Sequence, residues 1–288
     1  MAETDFSYRL QRELVGFPQP PRYVNGLSEM PRWERYQSSM LHRFSLYIHR
    51  ERTKAIAGQI AYFALEDPPT LTELIELDSL SNHHDDHELI DTDKPSPDKE
   101  DMTPEEKEIE YAQELASFEI VGRKYLGLDD TRLPQYMDAM ADYQKKDRMV
   151  PQIVDVADKL DAVGEVINEI RCGNLGFIDA YLFYRNRRLK YFEAYPFWER
   201  LKQDPAIGFD PMPSVEELVA MPRLRVDDLK SRETLKYDMY DTSLPAWYRS
   251  WLGISYDLFK DEPQPEFHMF PGWKNELRLR WNYPKKKS

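Results

Sequence analysis

One cysteine, Cys172, stands in the whole chain, so no disulfide can close within it, and this scarcity fits a reducing compartment. Also missing is any run of eighteen apolar residues of the kind that crosses a bilayer as a helix. The opening MAETDFSYRL has neither a basic start nor an apolar stretch, so no signal peptide is expected and the expected location is cytoplasmic. Positive charge is in deficit: 39 Lys and Arg face 52 Asp and Glu, a formal net charge of −13. That field opposes binding to an extended nucleic acid. A small anionic ligand is still compatible with it, because a local cluster of Arg and metal can outweigh the global charge. Internal repeats and long low-complexity segments are absent too. Core material is plentiful, with 41% hydrophobic and 13% aromatic residues, enough for one large domain or a domain with a sizeable extension.

Histidines are few, yet three of the six fall in residues 82–97, NHHDDHELIDTDKPSP. His84 is followed directly by Asp85, and Asp86, Glu88, Asp91 and Asp93 lie close by, before Pro95 and Pro97 stop regular structure. Imidazoles beside carboxylates are the ligand types that borderline and hard divalent metals accept. Most segments of this composition are solvated acidic loops. The preceding LTELIELDSLSNHH argues otherwise: Ile75 and Leu77, with Leu80 behind, lead to His84 at helical steps, which places His84 on the apolar side at a helix end.

The pattern H-D-x-x-E-x-x-x-x-D-x-P-x-P, here His84, Asp85, Glu88, Asp93, Pro95 and Pro97, resembles the HD-domain metal-dependent phosphohydrolases, and within them the bacterial 5'-deoxynucleotidases. The resemblance implies an all-α HD-domain helical bundle holding one divalent metal through a first His, the His-Asp pair and a distant Asp. For the first ligand we take His49, which shares the inward face of a helix with Ile56, Ile60 and Phe63; His42, in a more polar stretch, competes. The distant ligand falls in PQIVDVADKLDAVGEVINEIRCGN, where Ile153, Val156 (or Ala157), Leu160, Val163 and Ile167 mark the core side. Ala157-Asp158 matches the family's Ala-Asp pair, with Asp155 and Asp161 as alternatives and Lys159 as a charge partner that would explain Asp158 without a metal.

The expected metal set is therefore His49, His84, Asp85 and Asp158, a donor mix suited to Mn, Co, Fe, Zn or Ni. Glu88 is expected to orient or deprotonate the attacking water, and Asp93 to assist it or protonate the leaving oxygen. The resemblance assigns Arg32 to the phosphate and Trp33 to the sugar, favouring 2'-deoxy compounds. Arg50, Arg52 and Lys54 are read as a solvated basic face from which one residue could reach a phosphate. His83 and His87 are read as surface residues, a second metal being the alternative.

Residues 1–190 are expected to form the HD-type domain, opened by a turn-rich segment 1–30, with 191–288 as an aromatic- and proline-rich accessory region packed on it. Thr103, Pro104 and Glu106 signal a helix start, with Ile109, Ala112, Ala116 and Ile120 as its buried stripe. A flexible loop through 93–103 would precede it and could cover the site. LPQYMDAMADYQKK should form a further helix and PSVEEL a short capped one. The C-terminal tryptophans are assigned to core or to an oligomer interface, such as a homodimer's. The function read from these residues is release of phosphate from (deoxy)nucleoside 5'-monophosphates, with a nucleotide as small-molecule partner. A dNTP triphosphohydrolase on the same site is the rival, and a cyclic-nucleotide phosphodiesterase follows it. A non-catalytic nucleotide-binding or interaction protein is the alternative of another class.

Overall fold

The computed structural model describes residues 19–30, 32–33, 40, 45–65, 69–91, 99, 102–204, 212–221 and 244–259, and no β-strand occurs among them. Among the described residues six longer helices come first: α1 (Pro21–Glu29), α2 (Leu46–Ala64), α3 (Leu71–His83), α4 (Pro104–Val121), α5 (Leu133–Lys145) and α6 (Met149–Arg171). Short helical turns follow through residue 220, and α7 (Ala246–Phe259) is the last described element.

The helix starts obey local chemistry. Ser45 caps α2 by accepting from the Ile48 amide, while Thr70 with Glu73 and Thr103 with Glu106 form reciprocal capping boxes on α3 and α4. Ser214 and Glu217 do the same for the short turn Val215–Ala220, as PSVEEL suggests. The α6 helix ends where Gly173 takes a left-handed φ of 94°, a conformation glycine adopts without steric cost.

Around α6 the bundle is assembled. Its apolar residues, from Val150 through Ile153, Leu160 and Val163 to Ile170, are buried on nearly every side. The α2 helix packs along it, α3 and α5 flank it, and α7 lies against both α2 and α6. Truncating one such Ile or Leu would cost about 2–5 kcal/mol. Side chains on α6 therefore sit on a rigid support.

Two expectations about the outer elements are corrected. The leading segment is more than turns, because PRYVNGLSE forms α1, begun by Pro21 at a position where its missing N–H is harmless. On α4, Ile109, Ala112 and Ala116 are exposed and Ile120 is only half-buried. The buried face carries Glu114, Ser117, Phe118 and Val121 instead. Polar residues occupy that face because they have partners there: Ser117 Oγ donates to Asp91 (2.5 Å), and Glu114 accepts from Lys99 (2.6 Å) and Gln144 (3.0 Å).

Candidate metal centre and substrate cavity

His84 caps the C-terminus of α3, Asp85 follows, and Asp86–Leu89 make one 3-10 turn that carries Glu88. This corner is pinned from beneath by Asp86. Its carboxylate accepts from Tyr23 Oη and from Tyr136 Oη (2.7 Å), and its Oδ2 lies 2.8 Å from His83 Nδ1. His83 and His87 are consequently buried, at 1% and 6% exposure, and not on the surface as their polar neighbourhood suggested. The His87 ring packs against Phe118, with centroids 5.0 Å apart.

His84 Nδ1 lies 3.1 Å from the Ser81 carbonyl, and donation there leaves Nε2 with its lone pair. His49 is set the same way: Nδ1 lies 2.7 Å from Asp161 Oδ2, and Nε2 faces Asp85 Oδ2 at 3.0 Å and Asp158 Oδ1 at 3.3 Å. One ligand atom each from His49, His84, Asp85 and Asp158 lies within 4.8 Å of the others. The structure thus brings together the four residues expected as metal ligands, from α2, the α3 corner and α6. His42 and Asp93 lie outside the described residues, as does most of the 93–103 loop.

The donor set fits a divalent cation. Both Nε2 atoms are buried and lack a hydrogen bond among the described residues, although carboxylate oxygens stand close to each. Burial and Arg32 disfavour a charged His49, yet Asp158, Asp161 and Asp85 close around the ring and hold its pKa well above the ordinary value. Burial would also raise the acids. Lys159 and His49 nevertheless keep Asp158 well below the usual range, and His84 and His49 do so for Asp85. Two ionised carboxylates beside two imidazole nitrogens, all gathered at one buried point, are the donor types a divalent cation accepts. Lys159 Nζ does meet Asp158, but at Oδ2; Oδ1 is the oxygen turned toward His49 Nε2 and Arg32.

The alternatives on α6 have other work. Asp155 is held by Lys146 (2.6 Å) and Tyr195 Oη (2.8 Å). Asp161 accepts from Arg52 Nε (2.6 Å) and Nη2 (3.2 Å) besides His49, and from Trp251 Nε1 at 2.7 Å. Arg52 also meets Glu165, whose second oxygen takes Trp33 Nε1 at 2.6 Å. The reading of Arg50, Arg52 and Lys54 as a solvated face is corrected: Arg52 is fully buried in this network, and Arg50 is 5% exposed over the Tyr47 ring. Lys54 alone stays partly in water, paired with Asp78 at 2.6 Å. None of the three lines the cavity described next.

Trp33 takes a left-handed backbone, φ 59°, at 3% exposure. That conformation costs a bulky residue about 1–3 kcal/mol. The bond to Glu165 and edge contacts with Phe177 and Tyr184 hold it there. Beside it Arg32 reaches Asp158 Oδ1 (3.2 Å), Asp85 Oδ2 (3.3 Å) and Glu88 Oε2 (3.6 Å). These residues form one end of a cavity of about 520 Å³, inside the range typical of small-molecule sites. Tyr143, Phe183 and Tyr184 give it aromatic walls, and exposed Lys107, Tyr111, Arg187 and Tyr191 lie toward its mouth.

An all-helical bundle with a histidine–aspartate pair at a helix end, opening on such a cavity, has the build of the HD-domain phosphohydrolases. The family model described as 5'-deoxynucleotidase YfbR-like matches residues 22–196, more than half of the chain, and the chain belongs to that family. It is thus an HD-domain phosphohydrolase. No curated protein and no solved structure matches it at a significant level. Among the described residues no helix is long and apolar enough to cross a membrane.

Proposed function

We propose that this chain releases orthophosphate from deoxynucleoside 5'-monophosphates with one divalent metal held by His49, His84, Asp85 and Asp158. The observation that carries the reading is the convergence of those four residues, within 4.8 Å of one another, at a cavity that also presents Arg32, Trp33 and Glu88. A cation there supplies Lewis acidity toward the phosphoryl group and acidifies water.

The chain's own residues do the rest. Arg32 neutralises the non-bridging phosphoryl oxygens, a large part of catalysis in phosphoryl transfer. Glu88, 5% exposed beside Arg32, orients the attacking water and accepts its proton, and Asp93 assists or protonates the leaving oxygen. Trp33 closes the wall beside the sugar, in keeping with 2'-deoxy substrates. Lys99, Lys146, Lys159 and Arg188 in the cavity are each paired with a neighbouring carboxylate, Arg50, Arg52 and Lys54 are directed elsewhere, and Lys107 and Arg187 stand exposed toward the mouth, where the longer phosphate chain of the rival dNTP substrates would meet them.

Phosphate release from a panel of mono-, di- and triphosphates, deoxy and ribo, after chelation and re-addition of Mn or Co, tests the reading. Orthophosphate from deoxynucleoside monophosphates, lost in His84→Ala and Asp158→Ala together with the metal, is the expected result. Tripolyphosphate from dNTPs would replace it with the triphosphohydrolase, and no turnover with any metal would leave a binding protein.

A further inference from the structure

We propose that α7, which lies beyond the residues matched by the family, is a working part of the metal centre: Trp251 is a positioning residue that sets His49 through Asp161. The proposal rests on the metal site described above and goes beyond it, because it assigns a role to the accessory region.

The chain of contacts is short. Trp251 Nε1 donates to Asp161 Oδ1 at 2.7 Å, and Asp161 Oδ2 takes His49 Nδ1 at 2.7 Å. The opposite nitrogen of that imidazole faces the cluster of ligands. Asp161 is fully buried, and Trp251 is 3% exposed. Arg52 donates to both Asp161 oxygens, and its guanidinium also lies 4.7 Å from the Trp251 ring centroid. The carboxylate is thus held in its plane from two sides, by a charged fork and by a neutral indole. Without the indole N–H, Oδ1 would depend on Arg52 alone, and the carboxylate could turn with that long side chain. His49 would lose its fixed orientation with it. Loss of the partners that orient a metal-binding histidine typically lowers metal affinity by about 10–100-fold.

A second observation points the same way. A Cβ at Gly164 on α6 would stand 2.4 Å from Trp251 Nε1 and 2.5 Å from Cδ1 and Cε2. The absence of a side chain at 164 therefore makes the notch the indole enters, one turn along α6 from Asp161. Stacking on Tyr248, at 5.7 Å and 12° between planes, fixes the ring from the other side. A tryptophan needed only to fill space would not require this opening directed at a buried carboxylate.

The test uses the full chain, freed of metal by chelation and titrated with Co(II), read both by competition with a chelating dye and by the visible absorption of the bound ion. Trp251→Phe keeps the ring and removes the N–H. Gly164→Ala keeps the N–H and displaces the ring. Trp247→Phe, on the same helix and equally buried, is the control. Both of the first two variants should weaken Co(II) binding about tenfold and alter its absorption bands, while Trp247→Phe leaves both unchanged. Wild-type affinity and spectrum in Trp251→Phe would overturn the proposal, as would equal losses in Trp251→Phe and Trp247→Phe, which would mean general loosening of α7. A wild type that takes up no Co(II) would overturn the metal-site reading as well.

Discussion

Replacing Asp161 by Asn tests whether the network behind the cluster governs metal binding. The native carboxylate accepts four hydrogen bonds: His49 Nδ1 at 2.7 Å, Arg52 Nε at 2.6 Å and Nη2 at 3.2 Å, and Trp251 Nε1 at 2.7 Å. An amide of the same shape offers one oxygen, and its NH2 group must face donors on the other side. Removing one partner of a buried ion pair costs about 3–5 kcal/mol. Arg52 retains Glu165, so the lower end, about 3 kcal/mol, is expected. For a chain of this size that lowers Tm by roughly 6–12 °C. The second effect is specific. If the amide NH2 donates to His49 Nδ1, the imidazole carries its proton on Nε2, the nitrogen that faces Asp85 and Asp158. Metal affinity should then fall by about 10–100-fold. Thermal melts of the chelated protein and dye competition below the melting range separate the two effects. A variant that melts early but binds metal with wild-type affinity would refute the idea that Asp161 sets the His49 tautomer.

Three further substitutions probe neighbouring parts. Glu88→Gln should retain the metal and lose turnover by about 10²–10⁴-fold, and activity close to wild type would remove Glu88 from the mechanism. Trp33→Phe removes the donor to Glu165 and thins the cavity wall, so the ratio of deoxy- to ribonucleotide turnover should fall; an unchanged ratio speaks against contact with the sugar. Asp86→Asn leaves one accepting oxygen where Tyr23, Tyr136 and His83 now share two, and should lower stability by about 1–3 kcal/mol in denaturant melts, with no change in midpoint counting against Asp86 as the anchor of the corner.

How far the sequence could be read depended on whether a residue's reason for being buried lay nearby. Helix starts were legible because a capping box is local: Thr103 with Glu106, or Ser214 with Glu217, spans three residues. The four clustered residues were legible because a motif placed His84 and Asp85, apolar spacing placed His49, and the Ala-Asp pair of the resembled family singled out Asp158. His83 and Asp86 were not, since their burial depends on hydroxyls from Tyr23 and Tyr136, some fifty or sixty residues away. Periodicity failed on α4 for the same reason: Glu114 and Ser117 face inward toward partners that only the fold supplies.

A signal for the buried network was nonetheless present. Asp155, Asp158, Asp161, Glu165 and Glu169 recur at steps of three and four along α6, a stripe of acids at helical spacing inside an otherwise apolar helix, and all five are buried. Such a stripe cannot enter a core unless each acid is met. Here the partners differ: Lys146 for Asp155, Arg52 for Asp161 and Glu165, Asn174 for Glu169. Asp158 is the member whose oxygen turns toward two imidazoles and a second carboxylate. Spacing alone marks the seam, but which acid turns toward the imidazoles and what meets each of the others is set by residues from α2, the α3 corner and the connections flanking α6.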